Sequence, residues 1–295
     1  MAGNSNRMVN EASPIVDTRL ADGSRVNIVL SPISIDGAAV SIRKFPKTPI
    51  LMEDLIRIGS ITEEAAAFLK VLVAAGYNIF ISGGTGSGKT TFLNALSQYI
   101  PREERIITIE DSAELRLVDK PNLVRLETRN QMFDGVKPIT IRDLIRTALR
   151  MRPERIVVGE CRGEEALDML QAMNTGHDGS LSTGHANSCR DMLSRLETMV
   201  LMGMELPLAA IRSQIASGLD ILVHLGRMRD KSRKVLAITE VIGMQDGEIV
   251  LKDLYRYVEK SPDVEMACGK LQQMGTLFNQ EKCKRAGITL TDTGE

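Results

Sequence analysis

One segment constrains the fold of this chain more than any other feature. It reads Gly-Gly-Thr-Gly-Ser-Gly-Lys-Thr over residues 83–90 and matches G-x-x-x-x-G-K-[ST] at every fixed position. The apolar residues Ile79–Ile81 precede it, and the pattern from Thr91 onward predicts a helix. A strand, a glycine-rich loop and a helix in this order surround a phosphate with backbone N–H groups and a helix N-terminus. The sequence therefore predicts an α/β fold built around a phosphate-binding loop.

The chemistry of a nucleoside triphosphate assigns a role to each part of this loop. Glycines let the main chain curl around the β-phosphate, Lys89 reaches the β- and γ-phosphates, and the Thr90 hydroxyl ligates Mg²⁺. A glycine-rich turn that binds nothing is the alternative, and the complete motif in its expected context disfavours it. The residues predicted to bind the nucleotide are Gly83, Gly84, Thr85, Gly86, Ser87, Gly88, Lys89, Thr90 and Thr91.

Composition narrows the class of protein without naming a function. A chain of 295 residues predicts two domains, and 37 Lys+Arg against 38 Asp+Glu leave no global field to attract nucleic acid or an anionic membrane. Aromatic residues are only 3%, which provides few platforms for base stacking. The four cysteines form no C-x-x-C pair and predict neither a zinc site nor a disulfide framework. No apolar run approaches the ~18 residues of a membrane span, and Met1–Asn10 lacks the apolar core of a signal peptide.

The first 46 residues predict three short strands, at 16–20, 25–30 and 39–45, separated by turns. Three such strands enclose too little core to stand alone. Either this segment packs on the rest of the chain, or it is the C-terminal part of a larger, incomplete N-terminal α+β domain. Pro46 and Pro49 then indicate a linker, which we place at 47–59.

From residue 60 onward, strands and helices alternate, as they do in a parallel sheet. A helix is expected over 61–75, with a capping box from Ser60 and Glu63 and a stop at Gly76. Strands are predicted at 78–82, 105–110, 123–127, 155–159 and 180–183, and helices at 90–99, 141–150, 164–174, 190–202 and 208–217. Three further strands, at 220–225, 235–242 and 249–258, indicate an antiparallel meander, and a helical stretch over 265–285 follows. We assign 60–262 to one domain and 263–295 to a C-terminal helical tail.

Carboxylates follow two of the predicted parallel strands. Glu110 and Asp111 end one strand, and Glu160 ends another, where Gly159 occupies the usual position of the Walker B aspartate. Because the carboxyl ends of parallel strands share one edge, these acids are expected near the γ-phosphate and Mg²⁺. There a carboxylate can deprotonate the attacking water or hold the metal. The alternative is that they only cap the following turns.

The histidines leave two interpretations open. His177 follows a predicted helix stop, and His185 follows a strand end at the expected nucleotide edge. Either residue can link the nucleotide to the next helix by hydrogen bonding, or simply be a satisfied loop residue. His224, on the meander, is expected to be packed.

Two sets of arginines are also open to two interpretations. Arg142, Arg146 and Arg150 recur every four residues along a helix, which is typical of a solvated face or of a subunit interface. Arg25 and Arg43 lie on the N-terminal strands. An arginine supplied in trans to a γ-phosphate is common in phosphoryl transfer, but the residues alone do not single these two out.

Four ordered motifs resemble those of a known superfamily. Residues 83–91, 108–114, 157–162 and 175–187 are similar to the Walker A, Asp box, Walker B and His box of the type II/type IV secretion ATPases. Met151-Arg152-Pro153 and the wording of the His box resemble most closely the Tad/Flp pilus-assembly branch. The resemblance extends from about residue 12 to the end of the chain.

The resemblance implies a RecA-like P-loop ATPase domain, with a predominantly parallel sheet and a C-terminal meander, behind a partial N-terminal α+β domain. It implies ATP and Mg²⁺ as cofactors and a homo-oligomer, typically a hexamer. It places the ring in the cytoplasm, peripheral to the inner face of the cell membrane, where an inner-membrane platform protein is the partner. By analogy Glu160 is the catalytic Walker B acid, Glu110 the Asp-box acid and His185 the His-box residue, with Thr90 and Glu160 at the metal. Arg25 and Arg43 become candidate catalytic arginines.

The expected function is therefore an ATP-hydrolysing motor that powers a type IV (Tad/Flp-like) pilus or secretion system. A conjugation or effector-secretion ATPase of the same superfamily is the alternative. A RecA-like nucleic-acid translocase fits the charge balance less well, so nucleic acid is not an expected partner. A nucleotide-binding regulator without turnover is the third alternative.

Overall fold

The computed structural model describes residues 9–44, 48–129, 137–259 and 268–289. These residues form two compact units, a small one that comprises the residues up to Pro49 together with Lys137, and a large one that comprises the remaining residues from Ile50 onward. The division falls inside the segment 47–59 that the sequence assigns to a linker, and a short helix occupies residues 52–57 of that segment. The domain limits themselves remain a prediction.

The small unit is an antiparallel sheet of three strands, β1 (Ile15–Arg19), β2 (Arg25–Val29) and β3 (Ala39–Arg43). Among its described residues, the buried apolar side chains are Val16 and Val26. Every residue of β3 is exposed. A core of this size agrees with the expectation that the segment does not stand alone.

The large unit is built on a nine-stranded mixed sheet with the order β12-β11-β10-β9-β4-β8-β7-β5-β6. The strands are β4 (Ile79–Gly83), β5 (Ile106–Glu110), β6 (Leu123–Glu127), β7 (Arg155–Val158), β8 (Leu181–Gly184), β9 (Ile221–Arg227), β10 (Arg233–Gln245), β11 (Glu248–Glu259) and β12 (Gly269–Gln273). Strands β4 to β9 pair in parallel, and β9 to β12 form an antiparallel meander. The predicted α/β class, parallel sheet and meander are confirmed.

Helices cover both faces of this sheet. They are α1 (Met52–Arg57), α2 (Glu63–Ala74), α3 (Lys89–Ser97), α4 (Ile141–Ala148), α5 (Glu165–Asn174), α6 (Cys189–Gly203), α7 (Leu208–Gly218) and α8 (Glu281–Arg285). Side chains alternate between the faces of a strand, so Ile79 and Ile81 join the core under α2 and α3, while Phe80 joins the core under α4 to α7. Within the described ranges, every helix is too short or too polar to cross a membrane.

The predicted capping box of α2 was wrong by two residues. The N-cap is Thr62, whose hydroxyl accepts a hydrogen bond from the Ala65 N–H at 3.3 Å. Glu63 is the first helical residue, so its side chain is not in the position that a capping box requires. The carbonyl of Ser60 instead accepts a hydrogen bond from Val235 N–H at 2.8 Å and ties this turn to β10.

The predicted helix over 265–285 was also wrong for most of its described length. Residues Gly269–Gln273 form β12, which pairs with β11 and buries Leu271 opposite Tyr257. Only Glu281–Arg285 are helical. Pairing with the exposed edge of β11 and burial of an apolar side chain outweigh local helix propensity here. Residues 260–267 lie outside the described residues.

Candidate functional site

The site lies where the parallel strands of the large sheet end. Strand β4 leads into the glycine-rich loop, β5 ends at Glu110, β7 is followed by Glu160, and β8 is followed by His185. Because these strands are parallel neighbours, their carboxyl ends share one edge of the sheet. The loop, the acids and the histidine therefore reach this edge from separate parts of the chain.

The glycine-rich loop continues directly into α3, whose N-cap is Gly88. Gly88 has φ +96°, a left-handed conformation that favours glycine. The first helical residue, Lys89, is buried, and its Nζ donates to the carbonyls of Gly83 at 3.0 Å and Gly84 at 3.2 Å. The ammonium is thus held at the mouth of its own loop. Burial lowers the pKa of Lys89, an effect that the nearby Glu160 carboxylate opposes.

His185 lies between the loop lysine and Glu160. Lys89 Nζ is 3.2 Å from His185 Nδ1, and a lysine ammonium can only donate, so Nδ1 accepts. The proton of the neutral ring is then on Nε2, which lies 2.9 Å from Glu160 Oε1. Burial, together with the charge of Lys89, lowers the pKa of His185 and favours this neutral form.

The two oxygens of the Glu160 carboxylate have different surroundings. Oε2 accepts from Arg162 Nη2 at 2.6 Å. Oε1 is buried and near His185, yet it forms no aligned hydrogen bond with any described residue. The other terminal nitrogen of the Arg162 guanidinium, Nη1, donates to Asp111 Oδ2 at 3.2 Å. Arg162, which is not among the site residues predicted from the sequence, therefore connects the acids that follow β7 and β5.

Glu110 is placed differently from the sequence expectation. Its side chain is 3% exposed, and its Oε2 accepts hydrogen bonds from the N–H groups of Glu114 and Leu115 at 2.7 and 3.0 Å. In the described structure it makes no hydrogen bond to Lys89 or Glu160. Burial raises the pKa of Glu110 to about 7, although the two N–H donors favour the charged form. Its observed contacts organise the loop after β5, and its role toward phosphate remains a prediction.

The other histidines lie apart from this group. His177 precedes β8, whereas His185 follows it, so the two residues are at opposite ends of that strand. His224 is buried on β9, and its Nδ1 is 2.9 Å from the hydroxyl of Ser82, the residue before the first loop glycine. The expectation that His224 is packed agrees with its 8% exposure.

The arginines take separate places in the structure. Arg142 and Arg146 both pair with the buried carboxylate of Asp168, which ties α4 to α5 within the chain. Arg25 and Arg43 lie opposite each other on β2 and β3 of the small unit. Their action on a phosphate remains a prediction.

A cavity of about 260 Å³ opens beside the glycine-rich loop. Leu55, Ile58 and Phe92 contribute apolar surface, and Lys231, Arg233 and Lys234 of the β9–β10 hairpin contribute positive charge. Arg233 Nε also donates to the carbonyl of Gly86 at 2.9 Å, so the hairpin holds the loop directly. The sequence shows the hairpin as a basic connection between strands, but not that it meets a loop nearly 150 residues earlier.

Comparison with known protein sequences shows relatives among secretion proteins. The family described as "type II/IV secretion system protein" matches residues 2–286. A putative conjugal transfer protein of Mycobacterium tuberculosis is 38% identical over 249 residues, which cover 82% of this chain and 70% of the relative. The type IV secretion system protein VirB11 of Brucella suis is 36% identical over 244 residues, covering 74% and 68%.

Solved structures agree with these relatives. The VirB11 ATPase of the Brucella suis type IV secretion system superimposes with a TM-score of 0.53 at 32% identity, over 80% of this chain and 79% of that one. The pilus retraction motor PilT has a TM-score of 0.54 at 22% identity, over 89% and 64%, a likeness that concerns the fold alone.

Proposed function

Since this chain belongs to the type II/IV secretion system protein family, we propose that it is an ATP-hydrolysing motor of a secretion or pilus-assembly machine. The observation that carries the proposal is the contact series from Lys89 through His185 to Glu160 at the mouth of the glycine-rich loop. A cation for the phosphates and a carboxylate for the water occupy one small region, as phosphoryl transfer requires.

Each group has a defined task in this proposal. The loop N–H groups and Lys89 bind the β- and γ-phosphates of ATP, and the cavity beside the loop receives its adenine ring. Glu160 Oε1, which no described residue engages in an aligned hydrogen bond, accepts a proton from the attacking water. His185 lies between Lys89 and the Glu160 carboxylate and holds the two groups at a fixed separation.

The residues present suit Mg²⁺ as the accompanying ion. Thr90 carries a hydroxyl at the start of α3, and Glu160 carries a carboxylate, and oxygen ligands are those that Mg²⁺ prefers. These two residues would hold the ion, Glu160 through water. The ion would neutralise charge on the β- and γ-phosphate oxygens.

Two substitutions test the proposed reaction. Lys89→Ala is expected to abolish binding of a fluorescent ATP analogue, because the loop loses its only ammonium. Glu160→Gln keeps shape and hydrogen bonding but not basicity, so it should bind the analogue normally while phosphate release falls at least about 100-fold. Full turnover by Glu160→Gln would refute its role as the base, and a wild-type chain that binds ATP without releasing phosphate would instead be a regulator.

The proposal also concerns which machine the motor serves, a pilus or a secretion or conjugation system. The His-box wording supports a Tad/Flp-like pilus, whereas the names of the VirB11 and conjugal transfer relatives support the alternative, a secretion or conjugation ATPase. In either case we propose a hexameric ring at the cytoplasmic face of the inner membrane, docked on a platform protein. Affinity purification of the chain from its own cell distinguishes the two machines: pilins with a polytopic platform protein indicate a pilus, and conjugative channel subunits indicate the alternative.

A further inference from the structure

The ion pair between Arg162 and Glu160 is formed by residues only two positions apart, just beyond β7. Arg162 Nη2 is 2.6 Å from Glu160 Oε2, and Nη1 is 3.2 Å from Asp111 Oδ2 beyond β5. The main-chain N–H of Arg162 donates to the carboxylate of Glu165 at 2.6 Å, which fixes the backbone from which the side chain extends. The guanidinium therefore spans two neighbouring strand ends and is held at both.

This arrangement gives the Glu160 carboxylate one orientation. With Oε2 bound to the guanidinium, rotation about the last side-chain bond is restricted, and Oε1 is directed towards His185 at 2.9 Å. Without the arginine, the Glu160 side chain could adopt other rotamers, in which neither carboxylate oxygen points in this direction. A general base works only when the accepting oxygen lies within hydrogen-bond reach of the water, so the orientation has a catalytic consequence.

We propose that Arg162 is a positioning residue that sets the orientation of the Glu160 carboxylate for proton transfer. The inference rests on the proposed function, since it takes Glu160 as the base. In the described structure the guanidinium donates hydrogen bonds to the two acids. The proposal is that its effect on the reaction passes through Glu160, and the double-mutant cycle tests this.

A purely structural role makes a different prediction. The Arg162 side chain is 56% exposed, while its partners Asp111 and Glu160 are 43% and 19% exposed, and we expect ion pairs of so exposed an arginine to contribute about 1 kcal/mol to stability. Loss of such a pair would leave turnover unchanged. A positioning role predicts the opposite: little change in stability and a large change in turnover, because a misplacement of about 1 Å can cost about 100-fold in rate.

The test is a double-mutant cycle between positions 162 and 160. Single-turnover hydrolysis of radiolabelled ATP is measured at excess protein for the wild type, Arg162→Ala, Glu160→Gln and the double variant. Arg162→Ala should slow hydrolysis about 10- to 100-fold while the Kd of the fluorescent ATP analogue changes less than about threefold. In the Glu160→Gln background the same substitution should change the rate by less than about twofold, because the group that it positions is no longer a base.

Two further variants guard the interpretation. Arg162→Lys keeps the charge without the two-pronged geometry and should recover only part of the rate. Arg146→Ala is the matched control, since Arg146 is also 56% exposed and also pairs with a carboxylate, and it should hydrolyse ATP at the wild-type rate. If Arg162→Ala melts early, Arg162→Gln replaces it in the cycle.

The outcomes separate the inference from the proposed function. An equal loss of rate in both backgrounds, or no loss in the wild-type background, would overturn the positioning role while leaving Glu160 as the base. Wild-type turnover by Glu160→Gln would overturn the base assignment and the inference with it. The expected cycle, with the cost of Arg162→Ala confined to chains that keep Glu160, supports both.

Discussion

Glu110 and Gly159 occupy neighbouring positions at the ends of β5 and β7, and the side chain of Glu110 limits the size of the residue at position 159. A Cβ atom built on Gly159 would lie 2.9 Å from Glu110 Cγ, closer than Cβ contacts normally are. The glycine at the usual Walker B aspartate position is therefore explained by space: the buried side chain of Glu110 already fills it. The neighbouring acid, Glu160, is the one left facing the glycine-rich loop.

Glu110→Gln should change how stability depends on pH. The pKa of Glu110 is raised from 4.5 to about 7 by burial, so the folded chain retains a proton that the unfolded chain loses. Its contribution to stability is fully present below about pH 4.5 and is lost as the pH rises to about 7. As the pH rises from about 4.5 to about 7, the free energy of unfolding of Glu110→Gln, measured in urea, should therefore increase relative to that of the wild type by up to about 3 kcal/mol.

Glu63→Gln serves as the control for this experiment, because it removes the charge of an exposed acid at the start of α2 that is not among the groups shifting the pKa of Glu110. Its difference from the wild type should not vary with pH in the same window. A constant difference between Glu110→Gln and the wild type from pH 4.5 to 8 would show that folding does not raise the pKa of Glu110.

The residues of the site differ in how far the sequence could predict them. Lys89 and Glu160 follow from local signals, a complete loop motif and an acid at a strand end. The ion pair of Arg162 depends on rotamers, and the burial of Glu110 depends on a missing side chain on the adjacent strand. Neither condition is visible in a linear pattern of residue types.

At the scale of elements, the β9–β10 hairpin contacts the glycine-rich loop and supports its conformation. Arg233 donates to the carbonyl of Gly86, and its Cδ lies 3.2 Å from where a Cβ of Gly88 would be. The hairpin itself is closed by Asp230, which accepts hydrogen bonds from the N–H and hydroxyl of Ser232. A preformed turn thus carries the arginine that steadies the loop.

Arg233→Ala is expected to weaken nucleotide binding about three- to tenfold, because the loop loses a charged hydrogen-bond donor and its conformational freedom increases. The measurement is the Kd of the fluorescent ATP analogue. Arg229→Ala is the matched control, since Arg229 lies on the same hairpin but pairs with Glu259, and it should bind as the wild type does. Equal losses for both variants would assign the effect to the hairpin as a whole and contradict the specific contact.

The segment after β12 attaches to the sheet by polar contacts. Tyr77 donates its hydroxyl proton to the carbonyl of Asn279 at 2.6 Å, and the buried carboxylate of Glu240 accepts from the N–H groups of Phe278 and Asn279. Lys282 of α8 pairs with Asp178 at 2.8 Å and with Asp220 at 2.6 Å. A local sequence pattern does not predict such contacts, because each of them joins residues that are 38 or more positions apart in the chain.

Lys282→Met should lower the free energy of unfolding by about 2 kcal/mol, because it leaves the largely buried Asp220 carboxylate without its cation. Lys284→Met, on the same short helix, removes an exposed pair with Glu281 and should change stability by less than about 0.5 kcal/mol. Urea denaturation of both variants measures the difference. Similar stabilities would mean that α8 contributes no more than a surface segment does.

At the scale of the whole molecule, the two units were predictable to different depths. The alternation of strands and helices in the large unit, read with parallel-sheet topology, predicts which strand ends meet. The small unit offers three strands and few buried apolar residues, so its own pattern does not specify what it packs against. The role proposed for Arg25 and Arg43 concerns an assembly, so its test requires more than one kind of chain.

Mixing two inactive variants tests the proposed ring. If Arg25 and Arg43 act in trans, a Glu160→Gln chain can supply arginines to the site of an Arg25→Ala/Arg43→Ala chain. Phosphate release by the mixture should then exceed the sum of the separate chains, by about threefold or more given the large effect of a trans arginine. Glu160→Gln mixed with Lys89→Ala is the control and should show no gain, because neither chain has a complete loop and base. No gain in the first mixture, at concentrations where the chains associate, would contradict action in trans.

The strand that carries the glycine-rich loop is the fifth of the nine in the large sheet, with β9 and β8 as its neighbours. To move that strand, the hydrogen-bonded ladder on one side or the other must be unzipped, and both sides continue for several strands. The loop is therefore anchored to a central strand that is hydrogen bonded on both sides. For the proposed motor, we therefore expect the movements that accompany hydrolysis to arise outside the sheet, in parts such as the hairpin tip and the strand-end loops, while the strand that carries the glycine-rich loop stays in place.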